Sequence, residues 1–269
     1  MSNRSWNIEE LISIVRQVAK DELLPRFTKV THSKKRDGSI LTEADLAVQK
    51  TLERKLNHLD DSILFLSEEM TVEQQEAVLQ QADKAVWILD PLDGTTNFAA
   101  GIPYYAVSLA LLEQGQVSLG IVYDPERDEC FVAEKGMGAT LNGKPINKND
   151  EAVLLKNAVA CVDLKRLPET LAVKIVTQHP FRSQRSYGGV ALDWCWVAMG
   201  RFDVYLHGKQ NIWDYAAGQL IYSEAGGISC TLAGEPVFTQ NLQPRSGVAA
   251  VTPNLFTEWT NWLGIKRAD

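Results

Sequence analysis

An apolar run that ends in two carboxylates, a glycine and two hydroxyls concentrates reactive groups in the segment from Trp87 to Phe98. Val86 to Leu89 reads as a buried strand. Pro91 has no N–H to give a sheet and is expected to stop it, which leaves Asp90 and Asp93 at the strand's C-terminal edge, facing one point. Two ionised carboxylates about 4 Å apart repel by roughly 4 kcal/mol at an effective dielectric of about 20, so such a pair calls for a proton or a cation between its members. Hard oxygen ligands suit Mg2+, which retains waters and is commonly completed by substrate phosphate. The carbonyl oxygen of Leu92 is a candidate further ligand. Gly94 and Thr95 offer backbone N–H groups to an anion if the chain enters a helix there. Asp-Pro and Asp-Gly are each frequent in turns; the length of the whole string, not either dipeptide, favours a metal site over an ordinary turn.

Acids recur where other apolar elements end. Thr42-Glu43-Ala44-Asp45 has the spacing of a helix capping box. Ser67-Glu68-Glu69 follows the short strand Ile63 to Leu66. Asp214, after Trp213, stands in the first turn of a helix, where a carboxylate complements the dipole. Each alone is an ordinary cap or surface charge; their recurrence beside loop openings points to a shared site.

The elements that must position these groups follow from periodicity. Helices are expected near 7–24, from Thr42 onward, near 71–82, near 167–178, and over Val190 to Met199 and Tyr215 to Ala225. Lys34 to Ser39 reads as a loop or hairpin tip. Tyr105 to Leu112, Val117 to Tyr123 and Cys130 to Glu134 form the pattern of an antiparallel meander. Strand-like Ala158 to Val162 and Val204 to Leu206 then alternate with helices. These patterns predict α+β layering in residues 1–150, α/β alternation in residues 151–269 and a boundary near residue 150, with the halves sharing an interface. Gly138 to Lys144 fits the start of a Walker A loop but fails at Pro145, and a turn at Asn142-Gly143 explains it better.

The chain has 269 residues, 45% of them hydrophobic, and a formal net charge of −7. With no dense basic run beyond Lys34-Lys35-Arg36, a nucleic-acid or anionic-membrane partner gains little support. No signal-like or membrane-spanning apolar stretch is present, and a cytoplasmic location is expected. The cysteines, Cys130, Cys161, Cys195 and Cys230, and the four histidines are dispersed without metal-ligand spacing; buried thiols are expected.

Six ordered segments resemble the inositol monophosphatase family of Mg2+-dependent, lithium-sensitive phosphatases: Lys35 to Asp45, Ser67 to Glu69, Asp90 to Phe98, Gly120 to Pro125, Gly138 to Gly143 and Trp213 to Gly218. The resemblance implies a layered sandwich of helices and sheets of the sugar-phosphatase type, with the site between two subdomains. It also implies that Glu68, Asp90, the Leu92 carbonyl, Asp93 and Asp214 hold two or three Mg2+ ions. Asp45 and Thr95, with Glu68, would orient or deprotonate the attacking water, and no phosphoenzyme would form. Substrate contacts are assigned by the same resemblance to Asp93, Gly94, Thr95, Gly188, His207 and Asp214, and a homodimer is implied.

Gly-Thr-Thr-Asn-Phe at 94–98 looks like the inositol monophosphatase branch and favours a small sugar or polyol monophosphate. In that branch an acid seven positions before the Trp-Asp aspartate contacts inositol hydroxyls, whereas here that position is His207, which weakens inositol itself as substrate. His207 is expected either to bond a hydroxyl, or meet a second phosphate with Lys209, or to end a strand facing water. Arg182 and Arg185 are read as ligand contacts or, with slight preference, an exposed edge. The alternatives are hydrolysis of 3'-phosphoadenosine 5'-phosphate and a non-catalytic role as a partner of the transcription machinery.

Overall fold

The structure is a computed structural model and describes residues 6–27, 32–34, 40–81, 84–146 and 153–266. Helices α1 (Ile8–Glu22) and α2 (Glu43–Leu59) flank a short antiparallel pair, β1 (His32–Lys34) and β2 (Ile40–Thr42). The tip between these strands, and the boundary near residue 150, lie outside the described residues.

A seven-stranded sheet follows in simple sequential order: β3 (Leu64–Ser67), β4 (Val86–Asp93), β5 (Ala106–Glu113), β6 (Gln116–Asp124), β7 (Glu129–Glu134), β8 (Ala139–Leu141) and β9 (Lys144–Pro145). Only β3 and β4 run parallel, joined through α3 (Val72–Leu79); the rest is the antiparallel meander that the alternating runs suggested. Helix α4 (Thr95–Ala100) links β4 to β5.

The second sheet has the order β11-β10-β12-β14-β13. Its parallel core is β11 (Ser183–Arg185), β10 (Val159–Asp163) and β12 (Val204–Gln210), and β14 (Arg245–Ala250) and β13 (Ile228–Cys230) add antiparallel edges. Its helices are α5 (Glu169–Gln178), α6 (Val190–Ala198), α7 (Ile212–Glu224) and α8 (Pro253–Leu263). The four cysteines are all buried free thiols, as expected. Among the described residues no helix is long and apolar enough to cross a membrane.

Strand alternation sets the layers. In β4, Trp87 and Leu89 point to the side covered by Leu11, Val15 and Val18 of α1 and Val48 and Leu52 of α2. Val86 and Ile88 point to the opposite side, into a core with Trp194 of α6 and Tyr215, Ala216 and Ala217 of α7. In β12, Tyr205 joins that same core, while Val204 and Leu206 pack under Ile175 of α5 and Phe256 and Trp259 of α8. Helices, sheet, helices, sheet and helices therefore stack in five layers. Helices α6 and α7 are mostly apolar and largely buried because both their sides are covered.

One strand departs from the sequence reading. Pro91 does not end β4, which continues to Asp93. On β5, Ser108 stands opposite Asp90 and Ala106 opposite Asp93, so one extra residue is held on β4 as a bulge. Strand β3 pairs with β4 only as far as Leu89, so the missing Pro91 N–H leaves no partner waiting there.

Two buried contacts fix the spacing of the middle layer. A Cβ built on Gly120 of β6 would lie 2.8 Å from the Ala217 carbonyl oxygen of α7, so this glycine lets the helix sit directly on the sheet. Asp193, in the first turn of α6 and 4% exposed, accepts from the Tyr104 hydroxyl at 2.7 Å and from the Cys161 thiol, joining the lead into β5 to β10. Burial pushes its carboxyl up to about 6, against the lowering effect of these bonds and of His207.

Gly120→Ala should cost about 1–3 kcal/mol, because backbone must move to admit the methyl group; an unchanged urea midpoint would show that this contact does not set the spacing. For Asp193 the folded pKa exceeds the unfolded value, so the native state holds the extra proton and loses stability as pH rises from about 4 to about 6. Asp193→Asn removes that dependence. Relative to wild type, its unfolding free energy should gain up to about 3 kcal/mol between pH 4 and pH 7 by chemical denaturation; parallel curves would refute the assignment.

Candidate active site

Three elements deliver carboxylates to one point. Ser67 is paired with Leu89, so Glu68 leaves β3 alongside Asp90 of β4, and its N–H donates to the Leu89 carbonyl at 3.2 Å. The Gln75 amide of α3 donates to the carbonyls of Ser67 (2.9 Å) and Glu68 (3.4 Å), holding the turn that follows. Asp214 comes from the first turn of α7, where its Oδ2 accepts from the Asn211 N–H at 2.7 Å in a capping box. Ser108, opposite Asp90, donates to the Trp213 carbonyl at 3.2 Å and ties this helix end to the sheet. One oxygen each of Glu68, Asp90 and Asp214 lies within 4.8 Å of the others.

Asp93 stands beside this trio, and its carboxylate is turned to another task. Oδ1 accepts from the Val190 N–H at 3.1 Å and Oδ2 from the Ala191 N–H at 2.7 Å, so it caps the N-terminus of α6. The bulge at Pro91 is what lets Asp90 and Asp93 diverge in this way.

Burial and neighbouring carboxylates dominate the electrostatics of Asp90 and Asp93. Burial raises the Asp90 carboxyl well above its usual range, and the charges of Glu68, Asp93 and Asp214 push it further; the Leu92 N–H, donating to Oδ1 at 3.0 Å, pulls it back. Burial likewise raises Asp93, with Asp214 adding to it and the α6 N–H groups opposing. Hard carboxylate oxygens crowded together in this way fit a divalent cation such as Mg2+.

The neighbouring hydroxyl and helix start are equally organised. Asp45, fully buried, takes the Thr42 N–H at 2.7 Å and the Thr42 hydroxyl at 2.5 Å on Oδ2. Its Oδ1 lies 3.3 Å from the Thr95 Oγ1, which is also 3.0 Å from the Leu92 carbonyl oxygen. Gly94 precedes α4 with φ +90°, and a Cβ there would lie 2.8 Å from the Tyr104 carbonyl oxygen, so only glycine fits. The opening N–H groups of α4 have no partner within the helix. Asn97 of this helix donates to the carbonyls of Tyr104 (2.8 Å) and Tyr187 (2.6 Å), which brings Gly188 alongside.

His207 does not face water. It is 5% exposed, with Nε2 3.2 Å from Asp163 Oδ2 and Nδ1 accepting from the Lys209 N–H at 3.3 Å. Both ring nitrogens are thus occupied within the protein. Parallel pairing of β10 with β12 sets Asp163 directly opposite His207. Burial tends to raise the Asp163 carboxyl, but the bond and charge of His207, together with the Lys165 N–H and the Arg166 charge, outweigh it and leave the group below its usual value. Arg182 and Arg185 are exposed, and Arg185 donates to Ser183 Oγ and the Gln184 carbonyl.

Four positioning residues escaped the sequence reading: Ser108, Asn97, Asp163 and Asp193. Asp193 lies within an apolar run, and the partners of the others are brought near only by the tertiary fold. Asn97 was visible inside the Asp90 to Phe98 string but carried no separate signal.

Comparison with known proteins gives a consistent answer. The Inositol monophosphatase family model matches residues 6–261. Inositol monophosphatase 1 of Solanum lycopersicum is 34% identical over 263 residues, covering 94% of each chain. The Nus factor SuhB of Pasteurella multocida is 38% identical over 168 residues, 61% of this chain and 63% of that protein. Among solved structures, the extragenic suppressor protein suhB of Bartonella henselae superposes with a TM-score of 0.82 at 27% identity, covering 95% of this chain and 97% of that one. The chain with this carboxylate trio, capped Asp93 and Thr95–Asp45 contact therefore belongs to the inositol monophosphatase family.

Proposed function

We propose that the protein is a Mg2+-dependent phosphomonoesterase that hydrolyses a small sugar or polyol phosphate. The observation that carries this reading is the convergence of Glu68, Asp90 and Asp214 within 4.8 Å, beside Asp93 and the Leu92 carbonyl. These five groups are the ones that would hold the cations. When bound, divalent ions supply an acidified water and offset charge on the phosphate oxygens of an in-line displacement.

The chain's own residues supply the rest. Thr95 Oγ1 bonds the attacking water, and the proton released there passes to Asp45 Oδ1, which the Thr42 contacts at Oδ2 hold in place. Glu68 belongs to this group as well as to the ligand set. The Gly94 and Thr95 N–H groups at the start of α4 bind phosphate oxygens, with the helix dipole aligned to favour them. Gly188 leaves open space beside Asn97 for the carbon skeleton of the ester. Asp93 holds α6 against the site, so its contribution includes positioning this wall. His207, with both nitrogens engaged, acts on the substrate through Asp163 rather than by its own ring atoms. On this reading no phosphoenzyme forms.

A second reading, a regulatory role with the transcription machinery, is favoured by the likeness to a relative named Nus factor. The assembled carboxylate set, which binding alone does not require, favours catalysis.

The test is phosphate release from a panel of sugar, polyol and nucleotide monoesters with Mg2+, repeated with lithium as inhibitor. Asp214→Asn should lower kcat by roughly 10²–10³-fold. Thr95→Ala should lower kcat while leaving Mg2+ affinity within a few-fold by isothermal titration. No release from any ester by the wild type would remove the enzymatic reading.

A further inference from the structure

Tyr104 lies two residues before β5, is 2% exposed, and touches the starts of both helices that border the carboxylate site. Its backbone faces α4. The Tyr104 carbonyl oxygen accepts from Asn97 Nδ2 at 2.8 Å and would lie 2.8 Å from a Cβ on Gly94, so the turn that delivers Thr95 rests on this peptide. Its side chain faces α6. The hydroxyl donates at 2.7 Å to Oδ1 of Asp193, in the first turn of that helix. A Cβ on Gly189, the N-cap of α6, would lie 3.0 and 3.1 Å from two Tyr104 ring carbons and 3.5 Å from Asp93 Oδ2. The bare glycine therefore lets the ring lie against the helix start that Asp93 caps.

The ring is held on its other sides. It stacks on Tyr187 with centroids 4.8 Å apart, meets Trp196 edge-on at 5.0 Å, and has the Arg127 guanidinium 5.9 Å from its centroid. Arg127 is in turn bonded to Asp124 at 2.8 Å. Burial, with the Asp193 charge next, raises the Tyr104 hydroxyl well above its usual range, so it keeps its proton and remains a donor. Asn97 adds a strut between the same two helices, since its Nδ2 also reaches the carbonyl of Tyr187, two residues before Gly189.

The two helices carry different parts of the site. Helix α4 opens with Thr95, whose Oγ1 lies 3.3 Å from Asp45 Oδ1, and α6 opens with the Val190 and Ala191 N–H groups that orient Asp93. Only Gly94, at φ +90°, separates Thr95 from Asp93 along the chain. A glycine there leaves the angle between the hydroxyl and the carboxylate to whatever α4 and α6 rest on, and both rest on Tyr104.

We propose that Tyr104 is a positioning residue for the reaction: its carbonyl and its hydroxyl clamp the α4 and α6 starts together, which sets the Thr95 hydroxyl, and the water it directs, against the Asp93 carboxylate. The inference rests on the phosphomonoesterase reading for what those two groups do. No proton or electron pair passes through Tyr104. Misplacing a reacting group by about 1 Å costs on the order of 10²-fold in rate.

Tyr104→Phe keeps the ring and the carbonyl and removes only the hydroxyl. On whichever ester the wild type hydrolyses, it should lower kcat by roughly 10–100-fold, with KM, and the Mg2+ Kd by calorimetry, held within about threefold. Asp193→Asn keeps an acceptor for the hydroxyl and should retain kcat within about threefold. Tyr104→Phe also leaves a buried carboxylate short of a donor, so Tyr104→Phe/Asp193→Leu, which removes both partners, separates the two roles. Its urea midpoint should return toward wild type while kcat stays low. In the metal-free proteins, amide exchange read by mass spectrometry should quicken by roughly tenfold in Tyr104→Phe at the openings of both α4 and α6, and stay unchanged in α8. Full kcat in Tyr104→Phe, recovery of kcat along with stability in the double variant, or faster exchange at α6 alone, overturns the clamp. No phosphate release by the wild type from any ester removes the phosphomonoesterase reading, and the exchange comparison then decides the clamp by itself.

Discussion

Repulsion among buried carboxylates is the constraint around which this molecule is organised. Glu68, Asp90, Asp93 and Asp214 come from three places in the chain, and bringing them together costs free energy through both desolvation and like charge. The fold meets that cost locally with backbone N–H groups: Leu92 for Asp90, Val190 and Ala191 for Asp93, Asn211 for Asp214. These bonds stabilise the ionised forms only in part, since Asp90 and Asp93 remain raised. The remainder is what a divalent cation would offset, so the affinity of the site and the instability of its bare form have one origin.

Rigid packing is what makes such a cluster tolerable. The middle layer, α6 and α7, is largely buried and packs against both sheets. Helix α7 approaches β6 at Gly120 and α6 at Gly218, where a Cβ would lie 2.8 Å from Trp194 Cβ, so Asp214 is carried on a helix with little freedom to drift. Relaxation that would let the carboxylates separate is blocked by close-packed side chains rather than by any single bond.

Much of this was legible from residue order. Alternation in the meander, the cap at Thr42, the first-turn acid Asp214 and the dense string from Asp90 to Phe98 are local signals, and the elements follow them. The failures were non-local or depended on neighbours in space. Pro91 looked like a terminus because the absence of a third strand beyond Leu89 cannot be read from β4 itself. His207 looked like a strand-end residue facing water because Asp163, its partner, is 44 positions earlier and meets it only through parallel pairing. Asp193 was hidden in an apolar helix whose nonpolar neighbours gave no reason to look for a carboxyl, and its partner Tyr104 is 89 positions away. The strand β14 and the helix α8 add the last layer without carrying a motif.

Asp93 belongs to the first sheet by chain and to the second sheet's helix by hydrogen bond. The joint between the two sheets is therefore made of the same atoms that border the ligand trio. Any opening of that joint strips Asp93 of its two N–H donors and leaves a bare charge facing Asp214, so separation of the halves is resisted most strongly where chemistry is to occur. Conversely, a cation held by Asp214 would ease the pressure on Asp93, which would couple ion occupancy to the closure of the two sheets.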